Sequence, residues 1–342
     1  MELHILEHRL RVCTVKRSDL LPFIGSLIKL ALLHEYSKSK FFSFTLTSRD
    51  FTIILDEEGF KALPDQAEKM GMVIQSSAWL VLEATAGNDD AGMTTITRNI
   101  IVPLADRGLS IFCLSTCQTD YVLVREEDLP SVTHCLAPQF SVFREIEGNS
   151  EPVTLDLSQN GVHEPEAKRA IMYPLHFPTN NFLVTSLQPD MLPKITSSLL
   201  QVLFYPETCD LIETVSSSSQ KEQFVSYSLI DDRISLVLDV DLLDRFPDNC
   251  ICVDSAKERW RMVNTGVQNT GFEECGIVAQ IAEPLASENI PIFYLSTFLT
   301  DHTLVPETEW NKTLTVLSHR EECQHQDQEN SVIVDQTIPT SS

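Results

Sequence analysis

The sequence is poor in glycine, poor in positive charge and without long apolar runs. Only 11 of its 342 residues are glycine, and they form no GxxxxGK[ST], GxGxxG or GxSxG pattern; HExxH is missing too. Glycine-rich loops bring backbone amides close around phosphate, so a nucleotide-using enzyme is disfavoured. Twenty-five Lys and Arg face 49 Asp and Glu, for a net charge of −24. Binding a polyanion needs clustered cations that release counterions, and beyond short mixed segments such as residues 38–40 there is no basic stripe. This excludes nucleic acid and anionic membrane as partners, and suits solubility, basic partners or cationic ligands. No apolar run approaches the roughly 18 residues that span a bilayer. Met1-Glu2-Leu3-His4 has neither the basic nor the apolar part of a secretion signal. The nine cysteines are scattered, as expected in a reducing compartment, so a cytosolic location is expected.

What is present is core material and a repeat. Hydrophobic residues make up 43% of the chain, with 17 Phe, enough for a sizeable core or several small ones. Residues 103–126 align without a gap to residues 284–307, with 13 of 24 positions identical. The centre of the match is Phe112-Cys113-Leu114-Ser115-Thr116 against Phe293-Tyr294-Leu295-Ser296-Thr297, each followed by Thr-Asp at Asp120 and Asp301. The same offset pairs Trp79 with Trp260. Weaker matches join Phe41-Phe42-Ser43-Phe44-Thr45-Leu46 to Phe224-Val225-Ser226-Tyr227-Ser228-Leu229, and Asp19-Leu20-Leu21-Pro22 to Asp190-Met191-Leu192-Pro193. The order is A-B-A′-B′.

Within a unit the pattern is strand, helix, strand, strand, helix, often strand. In A′, residues 182–187 form a strand. A helix follows Pro189 and Pro193 with Asp190 as N-cap, and Asp231-Asp232 turns between strands at 224–229 and 234–238. In B′, a strand at 260–264 leads to a helix from about Cys275 to Glu288 and strands at 291–297 and 302–305. This is the split βαββαβ, ferredoxin-like order. Residues 146–180 and 206–222 read as loops. The Gln/Glu-rich tail from about 318 reads as disordered, with 331–334 able to add an edge strand.

Chemistry-bearing residues are few. Cys113-x3-Cys117 and Cys250-x-Cys252 lack a matching second pair, so zinc is not expected; His319, Cys323 and His325 read as a solvated tail. Cys117 follows Ser-Thr at a strand end, but no histidine with an orienting acid accompanies it and its counterpart is Phe298. It reads as structural or partner-facing, with a Cys117 nucleophile as the rival. Asp120 and Asp301 admit two readings: turn chemistry, or a carboxylate aimed at a cation. Glu273-Glu274 stands where the first half has Gly92-Met93. Those acids serve either a ligand or the helix dipole, and the helix start over residues 271–278 offers amides to a carboxylate.

Several segments then point to a family: Met1-Glu2-Leu3-His4-Ile5-Leu6-Glu7-His8-Arg9-Leu10-Arg11, Lys40-Phe41-Phe42-Ser43, Asp56-Glu57-Glu58-Gly59-Phe60, Leu114-Ser115-Thr116, Gly271-Phe272-Glu273-Glu274-Cys275-Gly276-Ile277-Val278-Ala279-Gln280-Ile281 and Asp301-His302. Together they resemble the CASTOR family, cytosolic arginine sensors upstream of the target-of-rapamycin kinase complex, from residue 1 to about 316.

The resemblance implies an α+β protein of four ACT domains: 1–75, 76–145, a linker over 146–180, 181–256 and 257–317, with a tail over 318–342. It implies a non-catalytic regulator without cofactor or metal, which dimerises with itself or a paralogue and binds GATOR subunits until L-arginine releases them. Arginine is expected between the second and fourth domains, on Ser110, Ile111, Gly271, Glu274, Gly276, Ile277, Thr297, Phe298 and Asp301. The partner contact is expected at Cys117, Gln118 and Asp120, where Cys117 replaces the family's usual tyrosine. Domains one and three pair across the dimer, and Leu200 and Tyr205, on the helix that also carries Leu199 and Leu203, mark the candidate face. Residues 106–109 also depart from the arginine-binding members. The rival readings are a family member that holds GATOR constitutively and an enzyme that uses Cys117.

Overall fold

A computed structural model describes residues 1–33, 37–86, 89–90, 92–153, 174–205, 221–247, 250–251, 258–265 and 276–318. The first half contains strands β1 (Glu2–Lys16), β2 (Phe41–Leu46), β3 (Asp50–Asp56), β4 (Met72–Ile74), β5 (Trp79–Ala86), β6 (Asp89–Asp90), β7 (Ile111–Ser115), β8 (Asp120–Arg125), β9 (Ser141–Ile146) and β10 (Asn149–Pro152). Its helices are α1 (Ile24–Leu32), α2 (Glu57–Phe60), α3 (Met93–Ile96), α4 (Val102–Asp106) and α5 (Leu129–Leu136), with a π-turn over Thr97–Ile101 joining α3 to α4. The second half contains β11 (Leu175–His176), β12 (Asn181–Leu187), β13 (Val225–Ile230), β14 (Arg233–Asp239), β15 (Trp260–Thr265), β16 (Phe293–Ser296) and β17 (Asp301–Pro306), with helices α6 (Leu192–Phe204) and α7 (Ile277–Ser287). A last helix covers residues 310–318.

The strands fall into four groups. The first has the order β4-β1-β3-β2, all antiparallel. The second runs β9-β1-β5-β8-β7. The long strand β1 therefore serves two sheets. Its C-terminal part, from Leu10 on, pairs with β3, while Glu2–Ile5 inserts between β5 and β9. The third group is β12-β14-β13 and the fourth β15-β17-β16, with β11 on the free side of β15. The 4-1-3-2 strand order of a βαββαβ unit is complete in the first group and carries one inserted strand in the second. The third and fourth show 1-3-2 among the described residues.

Three seams join the groups into a closed ring. Strand β2 pairs with β13 from Phe41↔Ile230 to Leu46↔Val225. Strand β12 meets β15 through Asn181 and Phe182, and β7 meets β16 at Leu114↔Leu295. Apolar residues of all four groups, among them Trp79, Phe112, Phe182, Phe224 and Phe293, fill the space inside. Outside, α1 and α6 cover the first and third groups with Leu27, Leu30, Leu199 and Leu203. The α3–α4 stretch, α5 and α7 cover the second and fourth. Every residue of β2, β3 and β13 is buried, because each of these strands has core on both faces. Their polar residues pair within the seam, Ser43 with Ser228 at 3.0 Å and Thr45 with Ser226 at 2.9 Å.

Some local expectations are corrected. Asp190 is not the cap of α6. It lies in a 3-10 turn, Pro189–Met191, and Met191 precedes the helix without a side-chain cap. The 146–180 stretch is not all loop: β10 pairs with β9 and β11 with β15. The turn Asp231-Asp232 does stand as read, with both residues in the left-handed region at φ 45° and 63°. The insertion over 206–220 and the tail from 319 lie outside the described residues.

Candidate functional site

Three hairpin turns share one chemistry. Thr47, Thr116 and Thr297 each donate their backbone N–H to the carbonyl three residues on, at 2.9 Å. Their hydroxyls reach the same carbonyls, at 3.2, 2.8 and 2.6 Å. A short hydroxyl side chain closes the turn twice over, which fixes where the next strand starts. In the repeat-related pair those strands start at Asp120 and Asp301.

These two turns flank the seam between β7 and β16. The backbones pair there at one position only, and serines bridge the rest. The Ser296 hydroxyl accepts from the Cys113 N–H at 3.1 Å, and Ser115 accepts from the Tyr294 N–H at 2.9 Å. Both serines are buried and are repeat counterparts, so the seam has a local two-fold character. By this antiparallel register, residues 110–111 at the start of β7 run toward residues 297–298 after β16. Ser110 is buried and Ile111 partly exposed. Helix α7 packs on both β7 and β17. Of the expected site residues, Ser110, Ile111, Ile277, Thr297, Phe298 and Asp301 thus lie on elements that meet at this seam. Gly271 and Glu274 lie outside the described residues.

Gly276 precedes α7 with φ 84°, and a Cβ there would meet nothing within 4 Å. The requirement is therefore for the left-handed backbone rather than for space. The first N–H groups of α7 have no carbonyl one turn earlier. Phe298 is tied to the first group: its N–H donates to Thr52 Oγ1 at 2.9 Å. The counterpart contact is the Cys117 N–H donating to Ser235 Oγ at 3.1 Å. Each turn thus crosses to the opposite half.

Asp301 has an unusual setting. Its N–H donates to Thr265 Oγ1 at 3.0 Å, and burial pushes its carboxyl up to about 6, against a smaller downward effect of a Ser296 hydrogen bond. No cation among the described residues offsets that burial. Burial raises the Cys113 thiol well above its ordinary value, and Asp301 and then Asp120 push it the same way. Both repeat-related carboxyls thus act on the same buried thiol.

Cys117 and Gln118 are exposed at the tip of their turn and Asp120 is partly exposed. The Ser235 hydroxyl lies 3.2 Å from Cys117 Sγ. On α6, Leu199 and Leu203 are buried on their own sheet, whereas Leu200 is only partly covered and Tyr205 is 42% exposed. Leu33, at the end of α1, is likewise exposed. The bridging serines and the Thr52 and Ser235 contacts were not anticipated. The identity of Ser115 and Ser296 in the repeat was the available signal. No helix among the described residues is long and apolar enough to cross a membrane.

A family model described as the N-terminal domain of cytosolic arginine sensor for mTORC1 subunit 1 matches residues 9–69, and one described as the ACT-like domain of subunit 1/2 matches 173–255. The ACT domain model matches 77–138 and again 255–319, so the chain is a mixed α/β protein with tandem ACT domains. Cytosolic arginine sensor for mTORC1 subunit 1 of Homo sapiens is 44% identical over 329 residues, covering 94% of this chain and 99% of that protein. The Mus musculus protein of that name is 42% identical over 330 residues, with coverage of 95% and 98%. That of Bos taurus is 43% identical over 331 residues, with coverage of 94% and 99%. By these matches, which run through all four strand groups, the chain belongs to the family of the cytosolic arginine sensors for mTORC1.

Proposed function

We propose that this chain is a cytosolic, non-catalytic arginine sensor of four ACT domains. It holds GATOR subunits in the absence of arginine and releases them when arginine binds. The observation that carries the reading is the place of Asp301: a partly exposed residue at the start of β17, beside the seam between the second and fourth strand groups, whose carboxyl lies among protein atoms that raise it and has no described counter-ion. A guanidinium is planar, permanently charged and rich in donors, and relieves such a group. Its further N–H groups go to the carbonyls of Thr297 and Phe298. The ligand carboxylate lies on the amides of Gly276 and Ile277, with Glu274 for the α-amino group and Ser110, Ile111 and Gly271 closing the site.

Arginine so placed ties the two groups together, and it shifts the protein's conformational equilibrium through its differential affinity for the two states. The partner reads that change at Cys117, Gln118 and Asp120. Leu200 and Tyr205 form the dimer face, and Leu200→Asp with Tyr205→Ala yields a folded monomer in light scattering.

Removing one buried partner of a charged group costs on the order of 2–5 kcal/mol. Asp301→Ala therefore weakens arginine binding roughly 30-fold or more, whereas Asp120→Ala leaves it nearly unchanged. Calorimetry on both variants tests this. Equal losses, or binding that survives Asp301→Ala, remove Asp301 from the site. Affinity also falls as the pH drops below about 6, because the protonated carboxyl no longer offers the guanidinium a charge.

A further inference from the structure

The second strand group carries an outer strand that the fourth lacks among the described residues. In the second group, β9 lies outside Glu2–Ile5 of β1 and parallel to it, with Leu3 opposite Val142 and His4 opposite Phe143. In the fourth group β11 takes the place of Glu2–Ile5. Leu175 and His176 pair with Thr265 and Asn264, the repeat counterparts of Ala84 and Glu83, which pair with Leu3 and His4. By register and by residue type, Leu175-His176-Phe177 thus stands for Leu3-His4-Ile5. Beyond β11 no strand follows among the described residues.

The burial shows the missing cover. Leu3 and Ile5 are 0% and 1% exposed, whereas Leu175 is partly exposed and Phe177 is 37% exposed. His4 is partly covered, because Phe143 of β9 stacks on its ring at 5.4 Å and 18° and Glu145 Oε1 lies 2.8 Å from its Nδ1. His176 is exposed. An edge strand with open backbone groups and half-covered apolar side chains is a template for a further strand.

The chain holds a segment that fits. In the first half β9 follows α5, which ends on the buried Leu136. The counterpart of Leu136 is Leu317, equally buried in the last helix. The stretch after that helix contains Ser331-Val332-Ile333-Val334-Asp335. Set against Ser141-Val142-Phe143-Arg144-Glu145, it keeps the serine, the valine that joins the core, a large apolar residue and the acid, in the same order. Side chains alternate across a strand. In the register of the first half Val332 falls on the face of Leu175, while Ile333 and Asp335 fall on the face of His176, as Phe143 and Glu145 do for His4. Twelve residues, 319–330, lead to this segment, against four, 137–140, in the first half. Loop closure costs only slightly more in a longer loop, so length is no obstacle.

We propose that residues 331–335 are the fourth strand of the last βαββαβ unit, docked parallel to β11 with Val332 opposite Leu175, Ile333 opposite His176 and Asp335 beside the His176 ring. Docked, the segment closes the edge of the fourth group. Displaced, it leaves an edge to which a strand of another protein can add through main-chain hydrogen bonds. Neither arginine nor Asp301 takes part.

Hydrogen exchange on the full-length chain tests the docking. Amides of residues 331–335 should exchange at least tenfold more slowly than in a free peptide of that sequence. Val332→Asp, which sets a charge against Leu175, should return them to the peptide rate and speed exchange at residues 175–177, with the rest of the chain unchanged. Oxidative cross-linking reads the register. Neighbouring strands lie about 4.8 Å apart, within the reach of a disulfide. His176→Cys should link to Ile333→Cys within one chain, as located by peptide mapping, and not to Val334→Cys, which faces the other way. The proposal is overturned by free-peptide exchange at 331–335 in the wild-type chain, or by unchanged exchange at 175–177 in Val332→Asp. A link that is absent, equal for the two cysteines or formed only between two chains overturns it too.

Discussion

Trp79 and Trp260 hold equivalent places in the two halves and differ in what surrounds them. Each meets a Phe of a repeat-related strand, Trp79 with Phe112 of β7 at 6.2 Å and Trp260 with Phe293 of β16 at 6.3 Å, both edge-on at 63°. Trp79 is fully buried, and Trp260 only partly. The same contrast runs along the whole chain. In the first half one strand of 15 residues threads two sheets; in the second it is broken into β11 and β12. At one end His8 and Lys40 of the first half pair with the turn Asp231-Asp232; at the other a cavity lies beside the turn at residues 47–50. Duplication preserved the turn hydroxyls and the bridging serines, which make the seams, and let the flanking positions drift. The second half carries a carboxyl without a described counter-ion, that of Asp301, and a ring nitrogen without a described hydrogen-bond partner, Nδ1 of His302.

The largest expected effect tests that division directly. Trp79→Ala opens a void in a closed core and should cost about 3–5 kcal/mol. Trp260→Ala, at a partly solvated site, should cost roughly half as much, because its neighbours and water collapse into the space more readily. Urea titration reads both as midpoint shifts at constant slope. Equal costs would mean that the second half is as tightly packed as the first.

Much of this layout was legible in the sequence. The gapless match of residues 103–126 to 284–307 is a match of two hairpins whose Thr-closed turns admit few substitutes. The apolar strands at Phe41 and Phe224 read correctly because both of their faces are buried. What escaped depends on partners far along the chain. Periodicity marks β1 as a strand but does not say that its two ends belong to different sheets. The 146–180 stretch looks like a loop because β10 and β11 are short and gain their register from β9 and β15. Asp190 looked like a cap because a cap is a local pattern, whereas here the chain enters α6 through a 3-10 turn. At the candidate site, Asp301 stood out by its place in the repeat. His302 lay beside it without a chemical signature, because an unpaired buried nitrogen is visible only once the strand faces are known.

Acid should separate the halves next. His302 is neutral and held down to about 3, while the unfolded ring titrates near 6.5. Below about 6.5 the unfolded chain takes up a proton that the folded one refuses. Stability is therefore lost as the pH falls from about 6.5 toward 3, by about 2 kcal/mol at pH 5. Asp301 acts in the opposite direction. Its raised carboxyl keeps a proton in the folded state between about 6 and 3.8, so its own contribution grows as the pH falls through that window. The two partly offset each other, and a difference measurement is needed. His302→Tyr, which installs the residue of the first half, should remove the histidine loss and make the variant gain on the wild type as the pH drops from 6.5 to 5. Parallel stability curves would place the histidine outside the acid response.

The smallest expected effect lies on the surface, where the halves differ by one charge. Arg9 on β1 reaches Glu126 Oε2 at 2.8 Å and Glu57 Oε1 at 2.6 Å. Among the described residues its counterpart, Asn181, makes one long contact, 3.4 Å from Nδ2 to Glu307, the repeat partner of Glu126. The Arg9 network spans the first two strand groups and gives the impression of a clamp that the second half lacks. Its energetics argue otherwise. Arg9 is 43% exposed on its side chain, as is Glu126, and water screens a pair of that kind to about 0.2–1 kcal/mol. Arg9→Asn, which copies the second half, should cost less than about 1 kcal/mol in urea titration. The cost should shrink further in molar salt, where the screening length falls to about 3 Å. A loss well above that, unchanged by salt, would make the ion pairs rather than the continuous strand the main tie between the first two strand groups.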